Sequence, residues 1–261
     1  MPASADLIGI TARLRAAGCV FAEEEAALLL SVDQSPDELC AMIDRRVEGS
    51  PLEQILGWAE FCGLRIVVEP GVFVPRRRTE FLVMQALAHC PRDAVIVDLC
   101  CGTGAVAAAL AVARPDATLF ATDIDPTAVA CAQRNLADRG LVLAGDLFAS
   151  LPPAFHGEVD IIVANAPYVP TAEIELMPLE ARLYEPRATA DGGDDGLHVQ
   201  RRIVIAASQW LSPNGCLLVE TSQRQAPQTA EIFTRHGLLP RIARSDELDA
   251  TVVIGHVIAN Y

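Results

Sequence analysis

The sequence predicts an α/β fold: a doubly wound, mostly parallel seven-stranded sheet that ends in an antiparallel hairpin, preceded by a small N-terminal helical domain. Three observations lead there. From Ala94 onward, short runs rich in Val, Ile and Leu alternate with helical stretches, as strands covered on both faces and joined by helical crossovers do. Two of these runs stop abruptly at polar turns, Cys100-Cys101-Gly102-Thr103-Gly104 and Asn165-Ala166-Pro167-Tyr168. The last two runs are joined only by Ser245–Asp249, too short a link for a helical crossover, so that pair is antiparallel.

Taken in order, Ala5 to Arg46 reads as helices. Leu7, Ile10 and Leu14, then Ala26 and Leu28–Leu30, recur at helical spacing, and Ser35-Pro36-Asp37-Glu38 is a capping start with Pro at the first helical position. Gly49-Ser50-Pro51 breaks this domain, which is assigned residues 1–57. Leu64–Val68 and Val72–Val74 flank the turn signal Glu69-Pro70-Gly71 and read as a β-hairpin within a linker, residues 58–79. Arg76–Thr79 is a loop and Glu80–His89 a helix. In the remaining domain, residues 80–261, the strands are Val95–Asp98, Thr118–Asp123, Leu141–Gly145, Val159–Asn165, Cys216–Glu220, Leu238–Arg244 and Thr251–Ala259. The helices are Ala105–Ala113, Pro126–Arg139, Gly196–Trp210 and Ala226–His236.

Composition narrows the function. A chain of 261 residues, 51% hydrophobic, can bury one large core plus a helical appendage. It has no apolar run long enough to cross a membrane and no basic segment leading into an apolar one, so a cytoplasmic protein is expected. The eight cysteines lack a C-x-x-C spacing and read as small core residues of a reduced protein, with no metal site. A formal net charge of −14 disfavours nucleic acid as a direct partner. All 20 basic residues are arginine, which excludes Schiff-base lysine chemistry and the P-loop lysine.

Glycines after a first strand let the backbone turn tightly and approach a ligand closely. Gly102-Thr103-Gly104-Ala105-Val106-Ala107 alone would also suit a dinucleotide, so its neighbours decide. Asp98, just before the turn, can attract a cationic group. Asp123, ending the next strand, is placed to take two ribose hydroxyls, with Asp125 capping the helix at Pro126. Asp146 and Leu147, ending the third strand, offer an acid and an apolar wall for an adenine. At the other turn, Asn165 supplies an amide, Ala166 a backbone carbonyl, Pro167 stiffness and Tyr168 a flat face. That set can grip a planar amide or arylamine by its N–H groups and sandwich it.

Several segments in order carry a resemblance: Gly49–Gly57, Phe61–Leu64, Gly71–Arg76 with Thr79-Glu80, the Asp98 turn, Ala121–Asp125, the Asn165 turn and Asp191–Leu197. The chain resembles the S-adenosylmethionine-dependent protein-glutamine methyltransferases of the HemK/PrmC type, which modify the glutamine of the Gly-Gly-Gln loop in peptide-chain release factors. The resemblance implies S-adenosylmethionine as cofactor and a release factor as protein partner in translation termination. It implies cofactor contacts from Asp98, Cys100, Cys101, Gly102, Thr103, Gly104, Asp123, Asp146, Leu147 and Asn165. A glutamine amide would be held by Asn165, Ala166, Pro167 and Tyr168, with Arg76, Thr79 and Glu80 at the entrance and the helical domain helping to dock the substrate. Three positions depart from the family: Ala166 stands where a proline is usual, Arg77 replaces the second proline of Pro-Arg-Pro, and Cys100 replaces a glycine. An amine of a small molecule or nucleic acid is the alternative acceptor, and a non-catalytic cofactor-binding partner the alternative of another class.

Overall fold

The computed structural model describes residues 2–257; the ends of the last expected strand and of the chain, 258–261, lie outside them. Three helices, α1 (Pro2–Ala16), α2 (Ala22–Leu30) and α3 (Pro36–Val47), are followed by the short α4 (Leu52–Leu56). They share a core of their own, built on Ile10, Leu14, Ala26, Leu29, Ile43 and Ile55. The capping box is formed as expected: Glu38 N donates to Ser35 Oγ (3.3 Å), and Ser35 N donates to Glu38 Oε2 (2.8 Å).

The hairpin falls one turn earlier than the sequence suggested. β1 (Trp58–Phe61) pairs with β2 (Leu64–Val67) through the two-residue turn Cys62-Gly63, whereas Val72–Val74 forms no strand. Cys62 and Gly63 both have positive φ, +50° and +72°, the twist a two-residue hairpin turn requires. Glu69-Pro70-Gly71 is a turn that leads away from the ladder. The Val74 N–H is taken by the Glu185 carboxylate (3.2 Å), so no strand partner is needed.

The main sheet has strands β3 (Val95–Leu99), β4 (Thr118–Asp123), β5 (Leu141–Ala144), β6 (Val159–Ala164), β7 (Leu211–Thr221), β8 (Leu238–Ser245) and β9 (Ala250–Val257), in the order β5-β4-β3-β6-β7-β9-β8. All pairs are parallel up to β7, and β9 then inserts antiparallel between β7 and β8, as the short Ser245–Asp249 link demanded. Helices α5 (Glu80–His89), α6 (Ala105–Ala113), α7 (Pro126–Leu136), α9 (His198–Trp210) and α10 (Ala226–Arg235) connect the strands. One face of the sheet packs with α5 and α6 around Ile96, Val163 and Leu218; the other packs with α9 and α10 around Val97, Ile162 and Val219. β3 lies between β4 and β6, so strand order reverses there, and the loops after β3 and β6 part to leave a crevice.

Between β6 and α9 the chain forms a stretch of short helices that no periodicity in the sequence announces, including α8 (Leu179–Tyr184). This stretch is tied to the helical domain. Arg46 Nη1 donates to Glu180 Oε2 (3.1 Å), and Gln54 Nε2 donates to the Tyr184 carbonyl (3.3 Å).

Asn135 on α7 fastens β2 to the glycine turn: its Oδ1 accepts from Val67 N (2.8 Å), and its Nδ2 donates to the carbonyls of Val67 (2.9 Å) and Thr103 (2.8 Å). Asn135→Ala leaves these groups without their partner. It is expected to lower the free energy of urea unfolding by about 1–3 kcal/mol; an unchanged midpoint would mean water replaces the side chain at no cost.

Candidate active site

A cleft of about 870 Å³ opens at the carboxyl ends of β3, β4, β5 and β6. It is lined by Asp98, Cys100–Thr103, Asp123–Asp125, Gly145–Leu147, Asn165–Val169, Arg76, Arg78 and Thr79, and covered on one side by residues 177–190. Almost every site residue expected from the sequence therefore meets in one place. Two do not line it. Glu80 Oε1 is spent on the backbone N–H of Cys62 (2.9 Å), bracing the hairpin turn, so its expected place at the entrance is corrected to a structural one. Gly104, at φ +73°, serves packing instead: a Cβ there would stand 2.9 Å from Ala132 Cβ, so the bare backbone lets α6 sit against α7.

The glycine turn is held by the acids around it. Asp123 Oδ2 accepts from Gly102 N (2.9 Å) and its Oδ1 from Asp125 N (2.9 Å), which clamps the ends of β3 and β4 together. Each oxygen keeps a further lone pair toward the cleft. Asp125 caps α7 by accepting from Thr127 N (2.8 Å), the division of labour between the two acids that the sequence suggested. A Cβ on Gly102 would meet no protein atom; it would project into the open space that the cleft leaves for a ligand.

Asp98 is buried and accepts from Ala107 N (3.0 Å) in the first turn of α6. Burial raises its pKa to about 8, the hydrogen bond from Ala107 opposing the shift. A carboxyl so placed is largely protonated at neutral pH and ionises readily when a cation arrives beside it. The thiols of Cys100 and Cys101 are pushed well up by burial and by the neighbouring acids, so neither is a nucleophile. Cys100 carries a left-handed φ of +56°, which accounts for the strain of a non-glycine residue at this position. Asp146 is exposed and paired with Arg202 (2.6 Å). Leu147 is buried beside it with its carbonyl accepting from Thr122 Oγ1 (3.0 Å), and the exposed Ile124 adds apolar surface.

At the second turn, Asn165 Nδ2 donates to the buried Thr79 Oγ1 (3.1 Å), which leaves the amide oxygen as its free end. Ala166 is buried at the cleft wall. The Tyr168 carbonyl accepts from Gln225 Nε2 (2.9 Å), and Gly196 packs so closely that a Cβ on it would stand 2.3 Å from that carbonyl. This explains the glycine-rich segment Asp191–Leu197: it buttresses the turn from behind. Burial, then the charge of Glu220, pushes the Tyr168 phenol up to about 12, so the ring remains a neutral face. Arg76 is bound to the buried Glu185 (2.6 Å) and lies over the Phe73 ring (4.9 Å). Asn135, Glu185, Gln225 and Glu220 were not picked out from the sequence. For Glu220 a signal existed, since it is a polar residue ending an apolar strand just as Asp98 does.

Residues 63–184 match the family described as Methyltransferase small domain. The chain is 40% identical to the release factor glutamine methyltransferase of Geobacter sulfurreducens, over 85% of this chain and 79% of that protein. It is 41% identical to that of Mycolicibacterium smegmatis, over 87% of each. The chain belongs to the release factor glutamine methyltransferase family. Its fold is shared with a methyltransferase from Pyrococcus furiosus (TM-score 0.58, 16% identity, 82% of this chain and 98% of that one) and with the ribosomal protein L11 methylase of Lactobacillus delbrueckii subsp. bulgaricus (TM-score 0.53, 16% identity, 73% and 84%). The resemblance and the fold drawn from the sequence are thereby borne out. Among the described residues no helix is long and apolar enough to cross a membrane, and no cluster of three or more His, Cys, Asp or Glu side chains could hold a metal ion.

The two turn positions should respond oppositely to substitution. Gly104→Ala adds a clash and a left-handed strain, and is expected to cost roughly 2–4 kcal/mol of stability. Cys100→Gly removes strain, and is expected to be neutral or stabilising by up to about 1 kcal/mol. Paired denaturation curves check this, and a Cys100→Gly protein less stable than Gly104→Ala would contradict it.

Proposed function

We propose that the protein transfers a methyl group from S-adenosylmethionine to the side-chain amide nitrogen of a glutamine in a peptide-chain release factor, most specifically that of its Gly-Gly-Gln loop. The observation that carries this reading is the side-by-side placement of the clamped glycine turn and the Asn165–Tyr168 turn in one cleft. The residues present fit the cofactor. Asp123 keeps lone pairs for ribose hydroxyls, Gly102 leaves space against the backbone, Leu147 and Ile124 offer apolar walls, and Asp98 is a buried carboxyl suited to the ammonium group of the amino acid end. When bound, S-adenosylmethionine supplies a methyl group made electrophilic by its sulfonium; the products are the N-methylated amide, S-adenosylhomocysteine and one proton.

The protein's own task is to make a poor nucleophile reactive. An amide nitrogen has its lone pair delocalised into the carbonyl. The Asn165 oxygen and the Ala166 backbone carbonyl can accept its two N–H bonds, which draws charge onto the nitrogen and fixes its direction. Tyr168 holds the amide plane, and Gln225 and Gly196 keep that turn from yielding. The two glycines of a Gly-Gly-Gln loop would allow entry into a narrow cleft without side-chain clash. The helical domain, joined to residues 177–190 through Arg46 and Gln54, would add remote docking contacts that help position the glutamine.

Mass spectrometry of a release factor incubated with the protein and S-adenosylmethionine should show one added methyl group on that glutamine, absent from a glutamine-to-alanine factor. An unmodified factor, with the cofactor bound normally, would assign another acceptor. Asn165→Ala should cut turnover far more than cofactor affinity. Asp123→Ala should weaken cofactor binding about tenfold or more.

Asp98 makes binding pH-dependent. Its pKa of about 8 lies above that of an unfolded-chain carboxyl, so its neutral form stabilises the empty protein at acid pH, and that contribution is lost as pH rises toward 8. A cationic ligand favours the ionised form. Affinity should therefore rise with pH up to about 8, with a proton released on binding near neutrality, and Asp98→Asn should abolish both effects. Calorimetry in buffers of different ionisation enthalpy measures the proton directly; a parent protein that releases none would remove Asp98 from the cation's site.

A further inference from the structure

Beneath the Asn165 turn lies a carboxylate that the mechanism above does not use. Glu220 stands near the carboxyl end of β7, and Ala164 pairs with Val219 across β6 and β7, so Glu220 is the neighbour of Asn165 at the strand ends. Leu218 and Val163 belong to the core on the α5 and α6 side of the sheet, which places Glu220 and Asn165 on that same side by strand alternation. Glu220 is 2% exposed, and neither of its oxygens completes a hydrogen bond. Arg78 Nε stands 3.5 Å from Oε1, and the Thr79 hydroxyl meets Asn165 at the neighbouring strand end (3.1 Å); burial pushes the Glu220 pKa up, and Thr79 and Arg78 oppose that rise. A carboxylate this deeply buried is costly unless such donors serve it.

Thr79 is also the partner of Asn165, and its hydroxyl carries a single proton. If that proton goes to an ionised Glu220, which can only accept, Thr79 Oγ1 is left as an acceptor. It can then bind only the NH2 end of the Asn165 amide, and the amide oxygen must face the cleft. Without the carboxylate, the Thr79 proton could go to the Asn165 oxygen instead, and the amide could turn its NH2 group toward the substrate, where it would repel the N–H bonds it should accept. We propose that Glu220 is a positioning residue that, through the Thr79 hydroxyl, fixes the direction of the Asn165 amide and so keeps its oxygen turned to the methyl acceptor. This rests on the amide-methyltransferase reading given above. It assigns to Glu220 and Thr79 a role in turnover and none in binding the cofactor.

The test is a set of variants of the full-length protein: Glu220→Gln, Thr79→Val, Thr79→Ser, and Glu220→Gln combined with Thr79→Val. Turnover on a full-length release factor is measured beside calorimetric affinity for S-adenosylmethionine. Glu220→Gln and Thr79→Val should each lower kcat about tenfold or more, cofactor affinity should stay within about twofold, and Thr79→Ser, which keeps the hydroxyl, should retain most of the turnover. Because the two groups form one relay, the double variant should lose no more than the weaker single variant. Parent-like turnover in Glu220→Gln, losses that multiply in the double variant, or cofactor affinity falling in step with kcat would overturn the proposal. A readout free of substrate separates this from the choice of acceptor. The side-chain NH2 signals of Asn165, assigned by their absence in Asn165→Ala, should exchange slowly with water in the parent and quickly in both Glu220→Gln and Thr79→Val. Equal exchange in all three would refute the relay even if the release factor is the substrate, and slowed exchange in the parent alone would uphold it even if that factor is not.

Discussion

The site depends on the pairing of β3 with β6. In the parallel register Asp98 lies opposite Val163 and Leu99 opposite Ala164, so the glycine turn and the Asn165 turn leave the sheet side by side. Because strand side chains alternate, a shift of one residue would send Asn165 to the face occupied by α9 and α10 and Asp98 away from α6. The register is protected by burial on both faces: Ile96, Val97, Ile161, Ile162 and Val163 have no alternative position that keeps them out of water. A hydrophobic constraint thus sets the distance between two polar turns, and neither turn would hold that geometry alone.

From this pairing outward, each layer fixes the next. Asp123 fastens the glycine turn to β4, Asn135 fastens the same turn to the hairpin, and Gln225 with Gly196 fastens Tyr168 to α10 and the segment before α9. The loops are therefore more determined than loop sequences usually are, because their polar groups are bonded to elements rather than to water. The segment 177–190 along the cleft is also bound to the N-terminal helices by Arg46, whose guanidinium bridges Glu25 and Glu180 in a half-buried network. A protein docking on that domain would contact a body already joined to the wall of the cleft.

Much of this was legible in the chain because the physics was local. Apolar runs of Val95–Leu99 and Val159–Ala164 declared buried strands, the short Ser245–Asp249 link dictated the antiparallel ending, and Ser35 with Glu38 announced a helix start. Asp98, Asp123 and Asn165 stood out as polar residues ending apolar strands. The hairpin was placed one turn late because Glu69-Pro70-Gly71 carries the stronger composition signal, while Cys62 gives no hint that it will adopt a positive φ. The resemblance put Glu80 at the entrance beside Thr79, whereas its carboxylate accepts from the Cys62 N–H, a contact that no local pattern announces. Residues 171–190 could not be read, since their short helices are held by partners such as Arg46 and Gln54 that are distant in sequence. Glu220 and Gln225 matter only through neighbours brought by the fold.

The central claim is that one cleft places a methyl donor held by the glycine turn against an acceptor held by the Asn165 turn. A crystal structure of the protein soaked with S-adenosylhomocysteine and a glutamine-containing release-factor domain examines it directly. The ribose hydroxyls are expected on Asp123, the amino acid end beside Asp98, and the glutamine amide nitrogen facing the sulfur while its N–H bonds meet Asn165 and Ala166. A nucleoside seated elsewhere, or a glutamine amide that approaches from outside the Asn165–Tyr168 turn, would contradict it.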